Sequence, residues 1–438
     1  YEISECLVGS EMCIRDRIAL VDCNSFFCSV EKVFHPGLKN KPVCVLSSND
    51  GCIVALTQEA KALGLKRGDP IFKQMEIVKR YGVKLFSTNM MLYAAMSKRV
   101  NNILRASVPR SEVYSIDESF LYLDGLEKYY NLKEYMHGVV EKVRLYTDIP
   151  VSVGIAPTKT LAKIGSKFAK QYKGYNSVCM IDSEEKRRKA LALFALADVW
   201  GIGKQTLAKL QYLGIQTPLE FADKKESWVR SHFTKPGVQT WKELNGISCI
   251  DTAEVVQRQS ICTSRSFGNI VTDYNELQAS VASFAASCAN KLRGQHSLAS
   301  SVTVFVSSNR FREDLTQYAN GETRILPMPT SDTIEITHAA LAVLKGIYRE
   351  GIGYKKTGVI LGNITNASYI QQNLFDEVKN RPERMHLMKQ IDALNHRLGL
   401  RKIHLAVEGE EKQAWHSKSE FRSGNYISDL KEILTIQI

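Results

Sequence analysis

Three carboxylates carry the most pointed chemistry in this chain of 438 residues. Asp22 closes the apolar run IALVDC, and Asp117 and Glu118 stand side by side inside EVYSIDESFLYL. Brought together by a fold, such groups repel one another and their pKa values rise. Divalent cations remove that conflict. Oxygen ligands suit Mg²⁺, which takes one or two carboxylates plus substrate phosphates. Two ions about 4 Å apart would stabilise both the attacking and the leaving oxygen of an in-line displacement. The competing reading is an acidic pair solvated near a turn. Apolar strands expected on both sides of the pair favour the metal-binding reading.

Two basic features accompany them. Lys159, Lys163, Lys167 and Lys170 recur at spacings of 4, 4 and 3, so they form one stripe of a helix, with Leu161, Ile164 and Phe168 on the opposite side. A row of lysines repels itself unless phosphates are near, although a solvated helix face fits the spacing equally well. In VWGIGKQTLAKLQYLGI, Gly201, Ile202 and Gly203, followed by Lys204, form a tight turn between helices. Backbone N–H groups at such a helix start can cradle a phosphate without reading a base. A plain packing corner is the alternative.

The elements that must position these groups follow from periodicity. Residues 18–23 read as a buried strand, and Phe26, Val30, Val33 and Phe34 share a helical face. Residues 43–47 read as a strand, 49–51 as a turn, and 57–64 as a helix stopped by Gly64. Residues 112–123 read as two short strands around Asp-Glu-Ser, 131–147 as a helix, PVSVGIA as a strand and KTLAKIGSKFAK as a helix. Strand–helix–strand–strand–helix–strand is the ferredoxin-like order, which lays the first strand beside the hairpin and gathers the three carboxylates on one sheet edge. A helical region begins near 182. A second α+β region begins near 257, with strands at 301–308 and 357–365 and amphipathic helices at 274–293 and 332–349. Beyond 366 the chain turns polar and charged. The fold class expected is α+β and multidomain, and the length suggests roughly three or four domains.

Bulk composition limits the partners. A net charge of +12 and a pI near 9.1 suit a polyanion, nucleic acid first, against the alternative of a basic enzyme with no such partner. No run of 18 apolar residues occurs, so no membrane span is expected. Ten cysteines contain no C-x-x-C pair and the histidines do not cluster with them, so no zinc spacing is present. Several sit in apolar runs as small core residues, which fits a reducing cytoplasm. Residues 1–17 carry neither a signal-peptide pattern nor helix or strand periodicity, and read as a non-native leader before a start near Ile18.

DCNSFF (22–27), SSNDGCIVALTQEAKALGLKRGDP (47–70), YSIDESF (114–120), SVGIAPTKTLAKIGSKFAK (152–170) and VWGIG (199–203) together resemble, in order, the motifs of Y-family DNA polymerases. The resemblance covers essentially residues 18–438. It implies a right hand with a ferredoxin-like palm (18–35 and 96–181), small fingers (36–95), a helical thumb with a helix–hairpin–helix (182–252), an α+β little finger (257–366) and a C-terminal tail (367–438). It implies that Asp22, Asp117 and Glu118 are the catalytic, metal-binding carboxylates, with the Cys23 carbonyl as a further ligand. The cofactor implied is a pair of Mg²⁺ ions, with Mn²⁺ able to substitute. Phe27 takes the place of the sugar-discriminating aromatic, which is tyrosine in many relatives. Lys61 and Lys170 take the triphosphate, and Cys52 and Val54 lie against the nascent base pair. Gln58 stands where relatives outside this branch often carry tyrosine. Gly201, Ile202, Gly203 and Lys204 map to the turn that grips DNA. QQNLFD (371–376) resembles a peptide that docks on the bacterial sliding clamp through Gln371, Leu374 and Phe375.

The implied function is error-prone lesion-bypass synthesis in the SOS DNA damage response: transfer of dNMP from a dNTP to a primer 3′-hydroxyl, directed by a template. The implied partners are primer-template DNA, dNTP, the sliding clamp, a UmuD-type accessory subunit and RecA. No membrane is implied, and the location would be the bacterial cytoplasm, at the nucleoid. Two rivals remain. A DNA- or clamp-binding scaffold with a dead palm is disfavoured by intact carboxylates and lysines. Another palm-fold nucleotidyl enzyme, such as a cyclase, leaves the hairpin motif and the little finger unused.

Overall fold

The structure is a computed structural model that describes residues 17–252, 257–368, 378, 380–399, 402–409, 415–427 and 429–432. Residues 1–16, most of the segment read as a leader, and the whole QQNLFD segment lie outside the described residues. The chain falls into two compact units. One is drawn from Tyr1–Leu46, Cys52–Glu254 and Phe421–Ile438, the other from Ser47–Gly51 and Val255–Glu420.

The first unit opens with β1 (Ile18–Cys23) and α1 (Phe26–Phe34). Arg17, grouped with the leader by composition, already extends the pairing of β1, since its carbonyl accepts from the Leu123 N–H at 2.9 Å. Next come β2 (Val43–Leu46), β3 (Ile53–Leu56), α2 (Gln58–Ala62), α3 (Ile71–Arg80) and β4 (Lys84–Ser87). These strands form a small sheet in the order β3-β2-β4. The helix α4 (Met90–Arg105) leads to the hairpin β5 (Arg110–Val113) and β6 (Glu118–Tyr122), then to α5 (Leu132–Thr147), β7 (Val151–Ala156), α6 (Lys159–Gln171) and β8 (Val178–Met180). The larger sheet runs β5-β6-β1-β7-β8. Its first four strands have the ferredoxin-like order, and β8 adds in parallel to β7.

Period-two alternation explains how one sheet supports two cores. Ala19, Val21 and Cys23 enter the core made with α1, α4 and α5, while Ile18 and Leu20 enter the core made with α6. Asp22 therefore projects on the α6 side. The contact of α6 with the sheet is backbone on backbone. A Cβ on Gly154 would lie 2.0 Å from the Ala162 carbonyl oxygen and 2.1 Å from the Ser166 nitrogen. Gly165 faces it from α6, where a Cβ would come within 3.1 Å of the Gly154 Cα. The helices that follow share the α6-side core: α7 (Glu184–Leu193), α8 (Lys204–Tyr212), α9 (Pro218–Ala222), α10 (Glu226–His232) and α11 (Lys235–Leu244).

The second unit contains β9 (Ile261–Val271), α12 (Tyr274–Gly294), β10 (Ser297–Ser308), β11 (Ala319–Thr330), α13 (Thr333–Ile347) and β12 (Tyr354–Asn366). The element order again is strand–helix–strand–strand–helix–strand, but the antiparallel sheet runs β11-β10-β12-β9. Within the stretch read as a polar tail stands a further helix, α14 (Arg381–Leu398). Of its residues only Met388 is buried. Ion pairs attach the rest: Arg293 with Asp392 at 2.6 Å, Arg384 with Asp332 at 2.7 Å and Arg381 with Glu335 at 3.1 Å.

Candidate active site

Asp22 and Glu118 are direct partners across the β1–β6 ladder, so their Cβ atoms leave the sheet on one face. The third carboxylate, Asp117, sits in the turn that enters β6. The Ser115 hydroxyl donates to its Oδ1 at 2.6 Å and accepts from the N–H groups of Asp117 and Glu118 at 3.2 and 3.0 Å. The Asp117 carbonyl accepts from the Cys23 N–H at 2.8 Å. Ser115 thus fixes the turn, a role that nothing in its residue type announces beyond its place in YSIDESF.

Asp22 and Asp117 line a cavity of about 680 Å³ together with Cys23, Phe27, Val54, Lys61, Ile116 and Lys170. Lys66 and Arg67 also line it, and sequence reasoning missed them. The signal for them is local. They follow Gly64, whose φ of +89° lets the chain leave α2 in the left-handed region and turn a second cationic pair into the cavity that Lys61 lines. Cys52 does not line this cavity; it forms an isolated bridge with Pro70. Gln58 is the first residue of α2 and is likewise off the lining.

The lysines of the α6 stripe are paired in the structure. Each lysine meets a carboxylate: Lys159 with Glu112 at 2.9 Å, Lys163 with Glu118 at 2.8 Å, Lys167 with Asp198 at 2.5 Å and Lys170 with Asp22 at 2.7 Å. Because α6 lies flat on the sheet, Lys159, Lys163 and Lys170 reach acids of the sheet, while exposed Lys167 meets exposed Asp198 beyond it. Lys159 is buried outright. Lys163 also stands over the Tyr114 and Trp200 rings, at 4.5 and 5.3 Å from their centroids.

These pairs shape the electrostatics. Burial raises the Asp22 carboxyl above its ordinary range, Lys170 opposes that rise, and the charge of Asp117 adds to it. Burial also pushes the Cys23 thiol far above its usual range. Among the described residues, no three His, Cys, Asp or Glu side chains are grouped so as to hold a metal ion. The backbone makes Asp22 and Glu118 partners in the β1–β6 ladder, with Asp117 in the turn that enters β6. Two of them face the cavity, while Lys163 holds both oxygens of Glu118, at 2.8 and 3.0 Å.

Phe27 lies at the start of α1, with its ring stacked on Tyr93 at 4.5 Å and 16°. Away from the cavity, Gly201, Gly203 and Lys204 carry more exposed surface, and α8 begins at Lys204. Ile202 differs. Its side chain is buried and its N–H donates to the Val199 carbonyl at 3.0 Å, so it plugs the turn from inside. Gly201 is required twice over: its φ is +93°, and a Cβ would lie 2.3 Å from the Thr240 hydroxyl.

Comparison with known proteins agrees with this geometry. Residues 21–167 match the impB/mucB/samB family, residues 258–374 match that family's C-terminal domain, and residues 385–436 match a domain of unknown function (DUF4113). The chain is 39% identical over 421 residues to Protein UmuC of Salmonella typhimurium, covering 96% of this chain and 100% of that one. It is 35% identical over 416 residues to Protein MucB of Escherichia coli, covering 95% and 98%. Among solved structures, a chimera of the Y-family DNA polymerases Dbh and Dpo4 matches with a TM-score of 0.61 at 23% identity, over 80% of this chain and 99% of that one. At that identity the likeness shows the polymerase fold. By near-full-length identity the chain belongs to the impB/mucB/samB family, and its fold is that of the Y-family DNA polymerases.

Proposed function

We propose that this DNA-directed DNA polymerase performs error-prone lesion bypass by joining dNMP to a primer 3′-hydroxyl at the cavity between Asp22, Asp117 and Lys61, with Asp22, Asp117 and Glu118 as its metal-holding centre. One observation carries the assignment. Asp22 and Asp117 line a cavity of about 680 Å³ that also has cationic lining and the Phe27 ring, and Glu118 is the ladder partner of Asp22.

The donor set fits a divalent cation. Three carboxylates and the Cys23 carbonyl are hard oxygen ligands, as Mg²⁺ or Mn²⁺ requires, and Asp22, whose pKa is raised first by burial and less by the charge of Asp117, is a carboxylate whose ionised form a cation would favour. Two bound ions would lower the barrier at the attacking and leaving oxygens. The chain's own residues do the positioning. Lys61, Lys66, Arg67 and Lys170 offer the positive charge that holds a triphosphate in line for attack. Lys170 and Lys163, paired with Asp22 and Glu118 here, keep those acids from repelling one another. Val54 borders the nascent base pair, and Cys52 supports β3 from its bridge to Pro70.

In this reading the five-stranded sheet serves as the palm (18–35 and 96–181). Residues 36–95 are the fingers, 182–252 the thumb, 257–366 the little finger and 367–438 the tail. Gly201, Gly203 and Lys204 meet the DNA backbone, a contact blind to sequence, while Ile202 holds their turn in place.

Phe27 packs where a 2′-hydroxyl would have to sit. Phe27→Ala should therefore lower the ratio of kcat/KM for dNTP over rNTP by about tenfold or more. Steady-state kinetics at one templated position gives the ratio, and an unchanged ratio would leave Phe27 as a packing residue.

The partners extend the reading. QQNLFD offers Gln371, Leu374 and Phe375 to a sliding clamp, and a UmuD-type subunit and RecA act with the polymerase. Replacing Leu374 and Phe375 with alanine should abolish retention on immobilised clamp and leave distributive synthesis on a short primer intact. Loss of thermal stability with retention intact would assign the two side chains to the chain's own packing.

A further inference from the structure

Residues 421–426 connect, through the Glu31 carboxylate, to the aromatic ring that Phe27 leans on. Residues 421–426 belong to the first unit, where they meet the last residue of β4, an edge strand of its sheet. Arg422 forms a parallel bridge with Ser87. The Ser87 N–H donates to the Phe421 carbonyl at 3.0 Å, and the Phe421 N–H donates to the Ser87 hydroxyl at 2.9 Å. Beyond that, the buried Asn89 amide donates to the carbonyls of Ser423 and Gly424 at 3.0 and 3.3 Å. Tyr426 then packs on Phe34, with ring centroids 5.0 Å apart.

The last link is a buried carboxylate. Glu31 of α1 has no exposed surface, and burial raises its carboxyl above the ordinary range. Its Oε1 accepts from the Ser423 hydroxyl at 3.0 Å and from the Tyr93 hydroxyl at 2.6 Å, while its Oε2 is buried without a partner among the described residues. Burying a carboxyl for two hydroxyls is expensive, and an apolar side chain would cover an edge strand at less cost. What the arrangement secures is the Tyr93 ring, held at its hydroxyl by Glu31 and stacked face-on with Phe27.

We propose that residues 421–426 are a strap that positions Phe27, and with it the discrimination against ribonucleotides, through Ser423, Glu31 and Tyr93. The inference rests on the reading of Phe27 as the ring against the sugar. It gives a task to part of the segment matched as a domain of unknown function. Ser423, Glu31 and Tyr93 are positioning residues. They act through Phe27 and do not line the cavity.

The test is the ratio of kcat/KM for dNTP over rNTP in the full chain carrying Ser423→Ala or Tyr93→Phe, each of which removes a single oxygen. Each should lower the ratio by about three- to tenfold, chiefly through a lower KM for rNTP. Glu31→Gln keeps the Oε1 acceptor and should hold the ratio within about twofold of the parent. In a Phe27→Ala background, Ser423→Ala should add nothing, because the ring it positions is gone. If Phe27→Ala alone leaves the ratio unchanged, the reading of Phe27 fails. If Phe27→Ala changes it while Ser423→Ala and Tyr93→Phe do not, the strap fails and the reading of Phe27 stands. A loss with Glu31→Gln as large as with Ser423→Ala overturns the hydrogen-bonded linkage.

Discussion

Asp117→Ala should lower primer extension by at least about 10³-fold while duplex binding persists, because the lost term is electrostatic stabilisation worth several kcal/mol. Asp117 is the carboxylate whose backbone and side chain are both fixed by Ser115, and it faces the cavity beside Asp22. Alanine removes an oxygen donor that no neighbour can replace. Ile116 is apolar, and Glu118 is held by Lys163. Duplex binding should survive, since a carboxylate repels phosphate and its removal costs the DNA grip nothing. The variant also separates site from fold: Asp117 is only partly buried, so melting should change little. Extension above a few per cent of the parent rate would reject the assignment of this residue.

The second large effect is structural. Gly154→Ala should destabilise the first unit by about 3 kcal/mol or more, read from chemical unfolding, because the new methyl meets backbone rather than movable side chains. Its Cβ would fall 2.0 Å from one α6 backbone atom and 2.1 Å from another. The helix must then lift from β7, and α6 carries Lys163 and Lys170, which pair with Glu118 and Asp22. Activity should fall with stability. A variant that melts like its parent would show that α6 can move without disturbing the sheet.

The contrast between these two positions explains what is legible in the sequence. Asp22 and Glu118 are readable as neighbours because the ferredoxin-like order lays the first strand beside the hairpin, and the polar break in EVYSIDESFLYL puts Asp117 next to Glu118. The elements β1, β7, α5 and α6 follow from the same periodicity, as do α12 and α13 in the second unit. The lysine stripe is only half legible, because helical spacing shows which residues share a face but not what that face meets. Four acids from the sheet, the hairpin and the following turn lie against it. β11 is hidden because its first seven residues are exposed and largely polar, so no alternation appears. α14 is hidden because it docks by Arg–carboxylate pairs rather than by an apolar face. The contact of Ser423 with Glu31 joins positions 392 apart, and no local pattern encodes such a pairing.

The most direct test of the central claim is extension of a primer–template by one nucleotide with Mg²⁺ supplied and then chelated, in the presence of a UmuD-type subunit and RecA. The expected result is addition of the templated dNMP with Mg²⁺, its loss on chelation, and no addition by the Asp117→Ala chain under either condition. Extension that survives in the Asp117→Ala chain, or its absence from the parent chain with Mg²⁺ and with Mn²⁺, would contradict the assignment of Asp22, Asp117 and Glu118 as the centre of a polymerase.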